Sequence, residues 1–454
     1  MTATDVETTS GLRRSIDLRH LVVYGMVFIG PAAAVGIFGP LDARSNGAVP
    51  VVYLVATVAM GLTAWSYAVM AREVPRAGSV FAYATAGIGP RTGFLAGWMV
   101  MLDYLLIPSV AYLFTGIAMS SFVPQVPAWA WTVAAVLLTT GLNLAGVRVA
   151  ARVAAITVVV EVIALACVLV GGVVVLAQHG PLRGWLTPLT GVGGFSVTAI
   201  AGAVSVAVLS YLGFDAIATF AEETRGGGRI IGRATLLCLV VAGLLFAAQT
   251  YVGALLSPMS PRELAAHPEA QGSAYYDLVD SQIAHWMSVF LAVAKAVGAA
   301  FSAMVAQAAA SRILLDMGRS NRLPRVLSRV SGRTGVPWLG LVGVAAVNSV
   351  VAVWAASRAD GLDTLVSIVD VGALTAFVLL HAAVLGYFVA RRRAQSSTTH
   401  VVVPVVGAAV LVAVIVLASH GAQVVGAVWL VLGLVVVAVQ GRRLRDTTEQ
   451  VRAG

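Results

Sequence analysis

Four ionisable residues stand where charge is costly. Asp103 in "MLDYLLIPS", Glu161 in "TVVVEVIAL", Asp215 in "GFDAIATF" and Lys295 in "LAVAKAVGA" each lie inside long apolar runs. A charge in hydrocarbon costs several kcal/mol, so each needs a partner or a function. Three carboxylates against one ammonium make an acidic interior. Such an interior suits a cationic substrate, a proton or a sodium ion, and a buried carboxylate is a reasonable proton carrier. Lys295 is the only lysine in the chain. For Lys295 and Asp103 a structural ion pair is the competing use; Glu161 and Asp215 are the better functional candidates.

Two stretches can work through their backbone instead. "FIGPAAAVGIFGPL", Phe28 to Leu41, puts two prolines and three glycines inside an apolar run. "SYLGFDAIATF" puts Gly213 and Asp215 in the middle of another. Broken helix is tolerated in a bilayer only where it is buried in protein or lines a wet cavity. At a break, freed N–H groups can hold an anion and freed carbonyls a cation. A packing kink is the alternative for either break alone. Two breaks at matched positions, each first in a block of five spans, point to inverted five-helix repeats around a binding site.

The elements that must position these residues are membrane helices. The 454-residue chain is 59% hydrophobic and only 11% charged, and its mean hydropathy is +0.91. A water-facing surface needs about 25% charge, so the class is an all-α polytopic membrane protein embedded in a lipid bilayer. A span needs about 20 apolar residues. Candidate spans cover roughly 21–41, 48–71, 93–119, 129–147, 152–177, 197–222, 232–256, 284–314, 337–357, 362–390, 400–419 and 422–441. Twelve spans put both termini on one side. That side carries 24 of the 29 basic residues, while Arg44, Arg183, Arg262 and Arg358 fall on the other. The split predicts cytoplasmic termini. It also explains the net charge of +9 without nucleic acid. The expected organisation is a cytoplasmic tail over 1–20, a core over 21–390, and the last two helices with a short cytoplasmic tail over 391–454. No cleavable signal peptide is expected.

Other polar groups read more plainly. Glu222 and Glu223, beside Arg225 and Arg229, suggest a gate or a helix-end ion pair. Asp370 and His381 lie in the tenth span, where His381 is either a proton relay or simply hydrogen-bonded. Cys167 and Cys238 read as small buried hydrophobes. The histidines have no metal-ligand spacing, and phosphate-loop and metalloprotease motifs are missing. No catalytic residue, metal or cofactor is expected, and neither an enzyme nor direct ATP drive.

Three further motifs run in order along the chain. "REVPRAGSVFAYATAGIGPRTGFLAGW" (Arg72 to Trp98), "GFDAIATFAEET" (Gly213 to Thr224) and "SRILLDMGRSNRLP" (Ser311 to Pro324) resemble signatures of the amino acid–polyamine–organocation superfamily. "LDYLLIP" (Leu102 to Pro108) and the proline-led first break are most similar to its putrescine-importer-like branch. The resemblance implies the leucine-transporter fold, five plus five inverted repeats with two extra helices. It implies a permease for amino acids or related amines, often proton-driven. The substrate would lie near Pro31, Ala32, Ala33, Ala34, Val35, Gly36 and Ile37 of the first break and Tyr211, Gly213, Phe214 and Asp215 of the sixth. Asp103 and Tyr104 would flank it. An ion or proton site would lie where the first, fifth and eighth helices meet, near Glu161 and Lys295.

Two positions depart from the family pattern. "AVGIF", Ala34 to Phe38, replaces G-[SA]-G-I-F, and Glu161 stands where proton-coupled members often carry lysine. The resulting expectation is proton-coupled uptake through the cell membrane, with sodium as the other candidate ion. A putrescine or polyamine importer, or an amino acid/amine exchanger, is the alternative. By position, Phe214 serves as a lid.

Overall fold

A computed structural model describes residues 17–74, 79–145, 147–215, 217, 224, 227–319, 324–331, 336–391 and 397–453. The described residues are helical almost throughout. The first crossing comes in three pieces: α1 (Leu18–Ile29), α2 (Ala33–Gly36) and α3 (Phe38–Arg44). Then come α4 (Val49–Glu73), the short α5 (Ser79–Gly87), α6 (Pro90–Phe122), α7 (Ala128–Ala145) and α8 (Val147–His179). After the small α9 (Thr187–Thr190), α10 (Val197–Ala207) runs into a tighter 3-10 turn, Val208–Tyr211. The second half holds α11 (Gly227–Leu256), α12 (Pro261–Ala266), α13 (Pro268–Gln271), α14 (Ala274–Gln282) and α15 (His285–Arg319). It closes with α16 (Trp338–Ala356), α17 (Gly361–Val384), α18 (Thr399–Val416) and α19 (His420–Ala453). A π-helical turn, Leu385–Arg391, extends α17.

Nine described helices are long and apolar enough to cross a membrane, and two shorter apolar ones cover Ala128–Leu144 and Val197–Tyr211. With the three-piece first crossing, each expected span has its helix. Of the sixth, only the first half is described as helix. Glu222, Glu223 and Arg225 lie outside the described residues.

Both breaks have local causes. Gly30 has φ +76° and Gly213 has φ +105°, backbone that side chains with a Cβ resist. Pro31 follows Gly30 and has no N–H to continue the ladder. The chain then recovers by three-residue bonds, from Ala33 N to Gly30 O and from Val35 N to Ala32 O. One freed carbonyl, that of Pro31, accepts the Gln249 side-chain amide of α11 at 3.2 Å.

Lipid tails are as apolar as leucine, so helices associate through close packing and hydrogen bonds. Each broken helix leans on partners in this way. Tyr53 of α4, Tyr211 and Phe246 of α11 form an aromatic cluster with centroids 5.2 to 6.2 Å apart. The helix pair α6 and α19 is locked by Trp98 and Trp429. Each indole N–H donates to the other's carbonyl at 2.8 Å, and the rings stack at 4.7 Å.

On the arginine-poor side, the segment from α12 to α14 covers α3. A capping box starts it: Ser260 Oγ accepts from Glu263 N, and the Glu263 carboxylate accepts from Ser260 N. That backbone bond holds the Glu263 carboxyl below its usual range.

Candidate functional site

The first break packs on α6 and α11, and the sixth-helix break meets α6 and α17. Asp103 and Tyr104 are neighbours on α6, and Asp103 is 5% exposed. The Tyr104 hydroxyl donates to Asp215 Oδ2 at 3.4 Å, and Asp103 and Asp215 lie within electrostatic range of each other. The structure therefore brings Asp103, Tyr104 and Asp215 together from two different helices. Asp103 Oδ1 is buried without a hydrogen-bond partner. An ammonium group, with three donors and a positive charge, matches such an acceptor.

Along the first break, Ala33 is half-buried, while Pro31, Ala32, Ala34, Val35, Gly36 and Ile37 are buried. A Cβ on Gly36 would stand 2.8 Å from two ring carbons of Phe114 on α6. The break therefore packs directly on α6. Tyr211 behaves differently. Its hydroxyl bonds to Thr57 Oγ1 at 2.7 Å and donates to Tyr53 O at 3.0 Å. It faces α4 and supports the sixth-helix break from behind.

Phe214 is fully buried. It meets Tyr67 of α4 edge-on at 5.8 Å and Phe377 of α17 at 5.6 Å. Tyr67 in turn meets Phe377 and Tyr83 at 5.9 and 5.8 Å. Tyr67 and Phe377 lie toward the arginine-rich ends of their helices, so this aromatic layer covers the acidic cluster on that side. On the other side, Arg44 of α3 pairs with Asp363 at the start of α17. The adjacent Asp42 accepts two bonds from Arg183, at 2.9 and 2.8 Å, and Arg183 also holds Met259 O. Contacts thus close over the cluster from both faces.

Glu161 of α8 and Lys295 of α15 are 3% and 6% exposed. The Glu161 carboxylate lies against Gly298, one turn along α15 from Lys295, close enough that a Cβ on Gly298 would collide with it. The Lys295 ammonium sits 5.3 Å from the centroid of the Phe114 ring, a cation–π distance. Lys295 and Glu161 are within electrostatic range of each other. The carboxylate that faces Lys295 is therefore Glu161, and Phe114 separates this pair from Gly36 in the first break.

Two polar residues beside the breaks went unassigned by sequence reasoning. Asp370 is fully buried on α17, and its mid-span charge was the available signal. Gln249 binds Pro31 O, while its own side-chain oxygen is buried without a partner. His381 is held by Ser66 Oγ at 2.9 Å and Thr63 Oγ1 at 3.3 Å. A Cβ on Gly407 of α18 would collide with its ring, so His381 ties α17 to α4 and α18. Cys238 is a free, buried thiol that donates to Val22 O at 3.3 Å.

Comparison with known proteins gives a consistent picture. A protein-family model described as amino acid permease matches residues 20–439. A low-affinity putrescine importer of Escherichia coli is 28% identical over 97% of this chain and 96% of its own length. A branched-chain amino acid permease of Lactococcus lactis is 28% identical over 75% of this chain and 74% of its own. A vacuolar cationic amino acid transporter of Arabidopsis thaliana is 27% identical over 82% of this chain and 60% of its own.

Proposed function

The chain belongs to the amino acid permease family, and on that premise we propose that it is a proton-coupled importer of ammonium-bearing substrates across the cytoplasmic membrane. One observation carries the substrate reading. Asp103, Tyr104 and Asp215 converge beside two interrupted helices, with an acceptor oxygen of Asp103 left over. Amino acids and amines share the ammonium group that this cluster fits. The relatives, a putrescine importer and amino acid permeases, point to the same two classes. The arginine-rich face is assigned to the cytoplasm by the positive-inside rule, and both termini with it.

Transport would proceed by alternating access about this midplane site. The aromatic layer of Phe214, Tyr67 and Phe377 would part toward the cytoplasm. The Arg44–Asp363 pair would part toward the outside. Glu161 and Lys295 supply the coupling site, with Glu161 carrying the proton. The contact of Gly36 with Phe114 and of Phe114 with Lys295 supports a mechanical link from substrate to proton. Sodium is the alternative ion; uptake that needs sodium and ignores the proton gradient would select it.

Uptake in vesicles tests the reading. A hydrogen bond to a charged group contributes about 1.5–3 kcal/mol. Asp215→Asn should therefore lower uptake by roughly ten- to a hundredfold at an unchanged membrane level of folded protein. Near-normal uptake by that variant would remove Asp215 from the site.

A further inference from the structure

Asp370 is a buried carboxylate with no counter-ion among the described residues. It is fully buried, and neither of its oxygens has a hydrogen-bond partner. Helix packing sets its surroundings. Two residues on, Gly372 lets α17 press against α6: a Cβ there would stand 3.0 Å from Leu102 Cβ and 3.1 Å from Met99 O. With the two helices this close, Asp370 lies within electrostatic range of Asp103. The backbone amide of Leu209, in the turn at the sixth-helix break, approaches Asp370 without the geometry of a completed hydrogen bond. The nearby Tyr53 hydroxyl is already engaged with Ser210 Oγ at 2.9 Å.

Two cations of the bundle, Lys295 and Arg44, are committed elsewhere. Lys295 faces Glu161 and Phe114, and Arg44 holds Asp363. A proton shared between Asp370 and Asp103 would join them by a short O–H···O bond. Yet both Asp370 oxygens and Asp103 Oδ1 are without partners. Asp103 on α6 and Asp370 on α17 thus have acceptor capacity for more than one cationic group. Asp370 also lies seven residues from Asp363 and seven from Phe377, so all three share one face of α17, about 10 Å apart. Asp370 therefore stands midway between the contacts that close the two sides.

We propose that Asp370 receives a second ammonium group, so that the site selects a linear diamine, with one end on Asp103 and Asp215 and the other on Asp370. This rests on the reading of Asp103 and Asp215 as the ammonium site. A zwitterionic amino acid would bring its carboxylate toward Asp370 and be repelled; a diamine would not.

The test uses the full chain in lipid nanodiscs. Affinities are measured by calorimetry for putrescine, for butylamine, and for linear diamines from diaminopropane to diaminohexane. The wild type should bind putrescine about tenfold or more tightly than butylamine, a difference of about 1.4 kcal/mol or more. Asp370→Asn should erase that preference, bringing putrescine affinity down to about that of butylamine. Asp370→Glu, one methylene longer, should move the preferred diamine to a shorter one, and this arm decides if the asparagine variant does not fold. An Asp370→Asn protein that keeps its diamine preference overturns the proposal, as does an Asp370→Glu protein with an unaltered length preference. A wild type that binds butylamine and putrescine equally overturns it too, while leaving the ammonium site standing. A wild type that binds neither overturns both.

Discussion

Lys295 and Glu161 show how a charge is kept in an apolar bundle. The ammonium has an aromatic face at 5.3 Å and a carboxylate within electrostatic range. Removing one member of a buried pair typically costs about 3–5 kcal/mol, because the other is left uncompensated. Lys295→Met should therefore lower the melting temperature sharply, and adding Glu161→Gln in the same chain should recover much of the loss. Thermal unfolding of the two single variants and the double variant checks this; strictly additive losses would show that the residues do not act as a pair. Glu161→Gln alone should also flatten the pH dependence of uptake, since the amide cannot carry a proton. A pH profile like the wild type's would move the coupling site elsewhere.

The interrupted helices matter because of what lies against them. The first break is written in residue chemistry: Gly30 takes a positive φ and Pro31 removes a donor. Its contact with α6 is a separate feature, made possible by Gly36 lying against Phe114. Gly36→Ala should push on that ring and disturb the ammonium beyond it. We expect lowered uptake with a pH profile shifted toward that of Glu161→Gln, in protein that still unfolds cooperatively. Lowered uptake with an unshifted profile would confine Gly36 to substrate binding. The breaks were legible in the sequence because glycine and proline act on their own backbone. The partner of Tyr211 was not, since the direction of a side chain around a helix depends on which helices pack there. Its hydroxyl turned out to face α4.

Across the whole molecule, the acidic cluster sits between two unlike closures. One is aromatic and fully buried; the other is the partly exposed Arg44–Asp363 pair, with side chains 28% and 21% accessible. A partly exposed pair contributes only about 0.2–1 kcal/mol, so the outer closure should be the easier one to bias. Arg44→Ala should raise the labelling rate of an Ala33→Cys probe from the outside, by up to about fivefold. Phe214→Ala should instead raise labelling from the cytoplasmic face. Unchanged outside labelling in Arg44→Ala would show that the outer closure is carried by the Asp42–Arg183 pair and the α12–α14 cover.

Apolar length, charge asymmetry and the positions of glycine and proline are properties of the chain itself. They were enough to read a polytopic membrane protein, its spans, its two interruptions and its family signatures. They also placed Asp103, Glu161, Asp215 and Lys295 at depth, because a residue's place along an apolar run measures its depth in the bilayer. Depth does not say which neighbour a side chain meets. Only the packing of α17 on α6 at Gly372, of α8 on α15 at Gly298, and of the first break on Phe114 decided the partners. Those contacts join residues far apart in sequence. Asp370, which sequence left as one more polar residue in the tenth span, thereby became part of the acidic cluster.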